Sequence, residues 1–311
     1  MSKQHSAHAV ATSAQNVLPL RPPALNERAM LASLKIHQWS ARKHDKRVTK
    51  EVADREHASA DSGRYNKRLL PKNALAAVQA AASALRAEHY KRTLPWSDEG
   101  ARILSTTGYF DYTQAIASLR VDFNRATEAF IDAYDDLRDK AQRTLGNLFN
   151  VEDYPLRSDI ASRFGVETHM LPLPDQNDFR AKLPDDQTQD IRADIERQVK
   201  ESLRQGQLDI FKRATDVLTH ASTKLSEYKP ATRTSKAEGV FRDTLITNIR
   251  ELAALIPSLN VTNDPQISEL CTDLTALASF EPDILRVSDA QRISAKDKAD
   301  AILSKIDGVL A

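Results

Sequence analysis

The chain has 311 residues, 41% of them hydrophobic and 28% charged, enough to bury a core and remain soluble. Its 8 glycines and 6% aromatic residues are fewer than sheets and sandwiches usually need, while abundant Ala, Leu, Lys, Arg, Glu and Gln favour helices. The lone Cys271 excludes an intramolecular disulfide, and the net charge of +1 conceals an asymmetry: residues 26–95 hold 15 Lys and Arg against 7 Asp and Glu, so the remainder is acidic.

Residues 1–25, rich in Ser, Ala, Gln and Pro around Arg21-Pro22-Pro23, read as a disordered tail. They lack the apolar stretch of a secretory signal, and no run in the chain approaches the 18 apolar residues of a membrane span. A cytoplasmic location without membrane contact follows by elimination. Between residues 31 and 41, Leu34 and Ile36 alternate with Lys35 and His37 as on a strand, though Leu31 and Leu34 also suit a helix. A polar helix is expected over 44–58, with a break at Asp61-Ser62-Gly63. Asn73 caps a further helix lined by Leu75, Val78, Ala82 and Leu85, which must end before Leu94-Pro95 because proline disfavours α geometry in the preceding residue.

The strongest periodicity runs from about Asp111 to Leu148. Ile116, Leu119, Phe123, Ala126, Phe130, Ala133 and Leu137 alternate in steps of three and four, a heptad seam, which then shifts by one residue through Ala141, Leu145 and Leu148. Asp153, Pro155, Leu156, Ile160, Phe164 and Gly165 read as a short capped helix with a Gly stop. Val166–Met170 alternates like a strand and, with 33–39, would make a small two-stranded β element. Pro172, Pro174 and Pro184 mark a loop. A second long helix is predicted from Asp185 to Tyr228, striped by Ile191, Ile195, Val199, Leu203, Ile210, Ala214, Val217, Ala221, Leu225 and Tyr228. At 1.5 Å per residue the two long helices span about 57 and 66 Å, and they are expected to pair as an antiparallel, coiled-coil-like hairpin.

Residues 229–238 form a polar linker. Beyond it come three helices: one through Phe241, Leu245, Ile249, Leu252 and Ile256; one capped by Asp264 before Pro265; and one opened by a Ser288/Gln291 capping box and lined by Ile293, Ile302 and Ile306. The expected fold is therefore mainly α, with a tail (1–25), a basic segment (26–110), the helical hairpin (111–228) and a C-terminal helical bundle (239–311). Burying the eight or so large side chains of the first seam is worth about 12–24 kcal/mol gross, available only with a partner. That partner is the second long helix, another subunit, or both.

Catalytic signatures are missing. No glycines are spaced to cradle phosphate, no G-x-S-x-G elbow occurs, and no histidines share a helix face. Cys271 lies on an apolar stripe between Leu270 and Leu274, where an inert thiol is the default. Glu128, Asp132, Asp135 and Asp139 line one helix face beside Arg125 and Arg138, as a solvated surface or a counter-surface for the basic segment. Neither catalytic residues, nor a metal site, nor a cofactor is expected.

The functional lead is the basic segment itself. Trp39, Arg42, Lys43, Lys46, Arg47, Lys50, Arg64, Tyr65, Lys67, Arg68 and Trp96 interleave cations with flat rings, the combination that single-stranded nucleic acid requires: charge for phosphates, rings for stacking bases. The alternative is a basic surface docked on the acidic remainder, with both tryptophans in a core.

Gln38-Trp39-Ser40-Ala41-Arg42-Lys43, Gly63-Arg64-Tyr65-Asn66-Lys67 and Leu94-Pro95-Trp96-Ser97-Asp98-Glu99-Gly100-Ala101-Arg102 resemble segments of an uncharacterised family of tailed-bacteriophage and prophage proteins. The resemblance implies a phage context and the bacterial host cytoplasm, and no activity. Two functions are expected: a non-enzymatic assembly protein that self-associates or binds a protein through its helical hairpin, or a single-stranded nucleic-acid-binding protein of a phage replication or recombination module acting through 39–96.

Overall fold

A nine-residue strand joins the two halves of the molecule. In the computed structural model, which describes residues 25–97, 100–175, 185–231 and 233–310, β1 (Ala29–His37) follows a single helical turn, α1 (Leu25–Arg28). Successive strand side chains point to opposite faces. Ala29 and Leu31 accordingly enter one hydrophobic core, while Ala32 enters another. The expected tail over 1–25 lies, apart from Leu25, outside the described residues, as does Pro184.

The other elements arrange themselves around that strand. β2 (Arg42–His44) leads into α2 (Lys46–Arg55), and β3 (Asn66–Arg68) pairs back on β2. Next come α3 (Ala76–Arg92), β4 (Leu94–Pro95) and β5 (Ala101–Ser105). Then follow α4 (Tyr109–Asp132), α5 (Tyr134–Leu145), α6 (Arg157–Ile160) and β6 (Gly165–Pro172). The remainder is helical: α7 (Asp185–Glu227), α8 (Thr244–Leu259), α9 (Pro265–Ala278), α10 (Pro282–Val287) and α11 (Asp289–Leu310). The protein is mainly α, with a four-stranded antiparallel sheet in the order β4-β5-β1-β6.

The expected pairing of 33–39 with 166–170 is present as part of a longer ladder, in which Leu34 faces Thr168 and Ile36 faces Val166. β4 and β5 were missed because a two-residue and a five-residue strand carry too little period to register. Ile103 and Leu104 of β5 divide between the two cores as β1 does. The sheet is thus sandwiched, with α3, α4 and α5 on one face and α7 to α11 on the other.

This sandwich corrects the hairpin. The two long helices do not pair: α4 packs along α3, and α7 packs along α11 and α8. The buried side chains of α4 and α7 belong to different cores. Each stripe marks a face that must be covered, and shorter neighbours cover much of it, while Ile191, Ile195 and Val199 in the first half of α7 stay half-buried and join neither core. The first helix also ends sooner than its seam suggests. At Ala133 it breaks into α4 and α5, leaving Ala133 exposed while Tyr134 is wholly buried and donates to the Pro155 carbonyl (2.9 Å). The change of register thus falls before Leu137, where the larger Tyr134 displaces Ala133 from the core.

The C-terminal helices largely follow the sequence. Asp264 caps α9 through the Gln266 amide (2.7 Å), with Pro265 in the first turn. Ser288 accepts from the Gln291 amide (3.3 Å) at the start of α11. Ile293, however, is exposed, and Ala295 and Ala299 line the buried face together with Ile302 and Ile306. Their small side chains let α11 lie close along α7. The linker 229–238 folds back on itself through a Lys229–Glu238 bridge, and α7 shares one core with α8 to α11 across it. No helix among the described residues is long and apolar enough to cross a membrane.

Candidate polyanion interface

The basic segment folds into a short ribbon, β2–β3, braced by α2. Arg42 faces Arg68, Lys43 faces Lys67, and His44 faces Asn66. Directly opposed residues share a face and successive residues alternate, so the ribbon sorts its cations into two sets.

One set is neutralised. Lys67 is only 7% exposed, and its ammonium sits 2.6 Å from Asp153 and 3.1 Å from Asp45 while donating to the Leu148 carbonyl (2.9 Å). Lys43 reaches the other Asp153 oxygen at 2.8 Å. Asp45 is also the N-cap of α2, accepting from the Val48 amide (3.1 Å). Burial works against the Lys67 ammonium, but the two carboxylates outweigh it and raise its pKa above the ordinary lysine value. Burial likewise opposes ionisation of Asp153, yet Lys43 and Lys67 hold it below the usual carboxylate range. The Val48 amide, aided by Lys67, keeps Asp45 low as well.

The other set has no counter-charge. Arg42 and Arg68 are exposed, directly opposite one another, and flanked by Lys72 on the turn that precedes α3. Together with Ser40 and Gln79 they line a groove of about 200 Å³ whose walls contain no carboxylate. Among the described residues none of the three cations has an ion-pair or hydrogen-bond partner. Like charges placed directly opposite across a strand pair are destabilising. Ala41, immediately before Arg42, takes a left-handed backbone (φ 50°), and its carbonyl accepts from the Leu69 amide (2.8 Å), which fixes the path of the ribbon.

The remaining sequence-predicted residues scatter. Lys46, Lys50 and Arg64 are exposed, and Arg47 is exposed but paired with Glu51 (2.6 Å). Tyr65 is 40% exposed. Trp39 is buried, its ring 5.9 Å from Tyr134 and 6.4 Å from Phe130, edge-on or tilted to each. Trp96 packs against the opposite core, and its carbonyl accepts from Ser202 (3.0 Å). Trp39 therefore offers no stacking face, and Trp96, half-buried, packs against a different core from Trp39. A large flat ring is as useful to a core as to a base, and the core has them. Lys67 is withdrawn in the same way. Ser40 and Gln79 had no signal in the sequence, since only the ribbon's fold brings them beside the arginines.

A second cleft, about 570 Å³, is lined by Tyr90, Lys91, Arg102, Asp209, Arg213, Asn248 and Glu251. Two of its three cations are answered by carboxylates, Arg213 by Asp209 (2.6 Å) and Lys91 by Glu251 (2.7 Å), while Arg102 donates to Thr93 and lies over the Tyr90 ring. Arg213 also donates to the carbonyls of Tyr90, Lys91 and Thr93, closing the C-terminal end of α3. That role joins the two halves of the molecule. The acidic stripe is solvated, with Arg157 bridging Asp132 (3.0 Å) and Asp135 (3.3 Å). No group of three or more His, Cys, Asp or Glu among the described residues is placed to hold a metal ion. Compared with family models, with curated proteins and with solved structures, the chain matches none of them.

Proposed function

We propose that this protein binds nucleic acid through the phosphate backbone, without sequence preference and without a chemical step, at the groove formed by Arg42, Arg68 and Lys72. One observation carries the reading: two arginines held face to face beside a lysine, with no carboxylate to answer them, while the adjacent Lys43 and Lys67 are fully answered. Folding leaves like charges opposed where the sequence has carboxylates to spare, and a polyanion relieves that repulsion. Guanidinium groups suit the purpose because each presents a planar fork of donors to phosphate oxygens. Lys46, Lys50 and Arg64 of the same segment are exposed as well. With Trp39 in one core and Trp96 packed, half-buried, against the other, unstacked bases are not required, so duplex and single strand should both bind.

The test is fluorescence anisotropy of labelled single-stranded and duplex oligonucleotides of equal length, titrated at several salt concentrations. Three phosphate contacts give a log–log salt slope of about −2 on single strands and about −3 on duplex. Arg42→Ala/Arg68→Ala/Lys72→Ala should abolish the salt-dependent binding. Absence of binding at low salt, or a triple variant that binds like the wild type, sinks the reading.

The assembly reading rested on two long helices with open faces, and both helices find much of their cover within the chain. A different surface supports self-association.

A further inference from the structure

β6 is an edge strand. Its eight residues pair one-to-one with β1 from Met30↔Pro172 to His37↔Gly165, without a bulge, and no strand among the described residues pairs with its other side. An edge of this length presents a row of unpaired amides and carbonyls, which proteins ordinarily guard with lysine, an internal proline or a bulge. β6 has none of these before its last residue, Pro172. The side chains of Glu167 and His169 are 51% and 59% exposed and already meet within the strand at 3.5 Å, so a second copy would add a symmetric pair beside them.

The strand is also its own complement. An antiparallel partner centred on Thr168 sets Glu167 against His169 of the second copy, and His169 against its Glu167. Val166 then faces Met170, and Thr168 faces Thr168. Directly opposed residues share a face. Val166 and Met170 are half-buried against the α4–α5 core, so the apolar pairs would continue that core across the axis. The acid–imidazole pairs would lie on the opposite face, where Glu167 is exposed beside His37 (3.6 Å). Acid–imidazole pairs, apolar match and a threonine pair thus fall in one register about one two-fold axis.

We infer that the protein dimerises by β6-to-β6 pairing centred on Thr168, joining two four-stranded sheets into a continuous sheet of eight. This surface is independent of the basic groove, so failure of either proposal leaves the other standing.

Sedimentation velocity across about a hundredfold range around micromolar concentration should show a monomer–dimer equilibrium. Reversing one partner (Glu167→Lys) sets lysine against histidine at both symmetric pairs and should weaken the dimer roughly tenfold. The swap Glu167→His/His169→Glu restores opposite pairs and should recover it. Register is tested by oxidation. Two Thr168→Cys residues meet on the axis at a Cα separation of about 4.5–5.5 Å, within disulfide reach, and should cross-link. His169→Cys faces residue 167 instead and should not. Wild type, with the half-buried Cys271, controls for the native thiol. A monomer throughout, or a dimer in which Thr168→Cys does not cross-link, overturns the proposal.

Discussion

Lys67→Met tests whether the basic ribbon is divided as described. The substitution keeps most of the stem and removes the charge. Asp153, whose side chain is 5% exposed, loses a partner at 2.6 Å and keeps Lys43 at 2.8 Å. Asp45, at 10% exposure, loses the same ammonium and keeps the Val48 amide. Removing one member of a buried ion pair costs about 3–5 kcal/mol, and the retained partners place this case near the lower end, about 3 kcal/mol. The loss should be local, because the ribbon pairs as its own two-stranded sheet. Native-state hydrogen exchange reads it directly: amides of 42–44 and 66–68 should lose about a hundredfold of protection while those of α8 do not change. Adding Asp153→Asn removes the stranded carboxylate and should return part of the protection. Unchanged exchange in the ribbon would refute the buried triad. The sign with pH follows from the same groups. Asp45 and Asp153, held low, stabilise the ribbon above the ordinary aspartate range, and that contribution disappears as acid protonates them. Lys67, held high, contributes below the ordinary lysine value and loses its contribution as pH rises through its elevated pKa.

Arg42→Ala/Arg68→Ala should leave thermal stability unchanged or raise it by a few tenths of a kcal/mol while nucleic-acid binding falls, since it removes opposed like charges; a clear loss of stability would mean that the arginines hold the ribbon together. His89 is 4% exposed, shares a hydrogen bond with Tyr112 (2.9 Å), and is pushed down to about 4 by burial and by Arg102. Its folded pKa is depressed, so stability falls as pH drops from 6.5 towards 4, by about 3 kcal/mol; denaturant titrations over that window should lose most of this slope in His89→Gln. Gly239 has φ +62°, and an added Cβ would stand 2.4 Å from the Glu227 carbonyl oxygen. Gly239→Ala should therefore cost about 2 kcal/mol or more by opening the 229–238 loop, and a neutral melting temperature would contradict that geometry. Arg213→Ala strips three carbonyls at the end of α3 of their donor and should cost about 2 kcal/mol, read as a lowered denaturation midpoint.

How far the site was legible depends on the residue. The clustering of cations over 42–72 was visible as a run. Their division was not, because Asp45 lies two residues from Lys43 in sequence but Asp153 lies far away. Only the folded chain brings Asp153 to Lys67 and leaves Arg42 opposite Arg68 without an answer. Trp39 and Trp96 show the same limit from the apolar side. A ring in a basic segment has the composition of a stacking site, and burial is settled by what lies across from it, here Phe130 and Tyr134 for Trp39.

Local chemistry in the sequence determined the elements themselves: the Asp264–Pro265 start of α9, the end of α3 before Leu94-Pro95, the 43-residue span of α7, and the pairing of 33–39 with 166–170. Caps, prolines and periodicity act within a few residues, so they can be read in order along the chain. The partners were decided only by the tertiary structure: α3 for α4, α11 for α7, and two more strands for the sheet. An apolar stripe states that a face will be covered and not by what, because the hydrophobic effect has magnitude without direction.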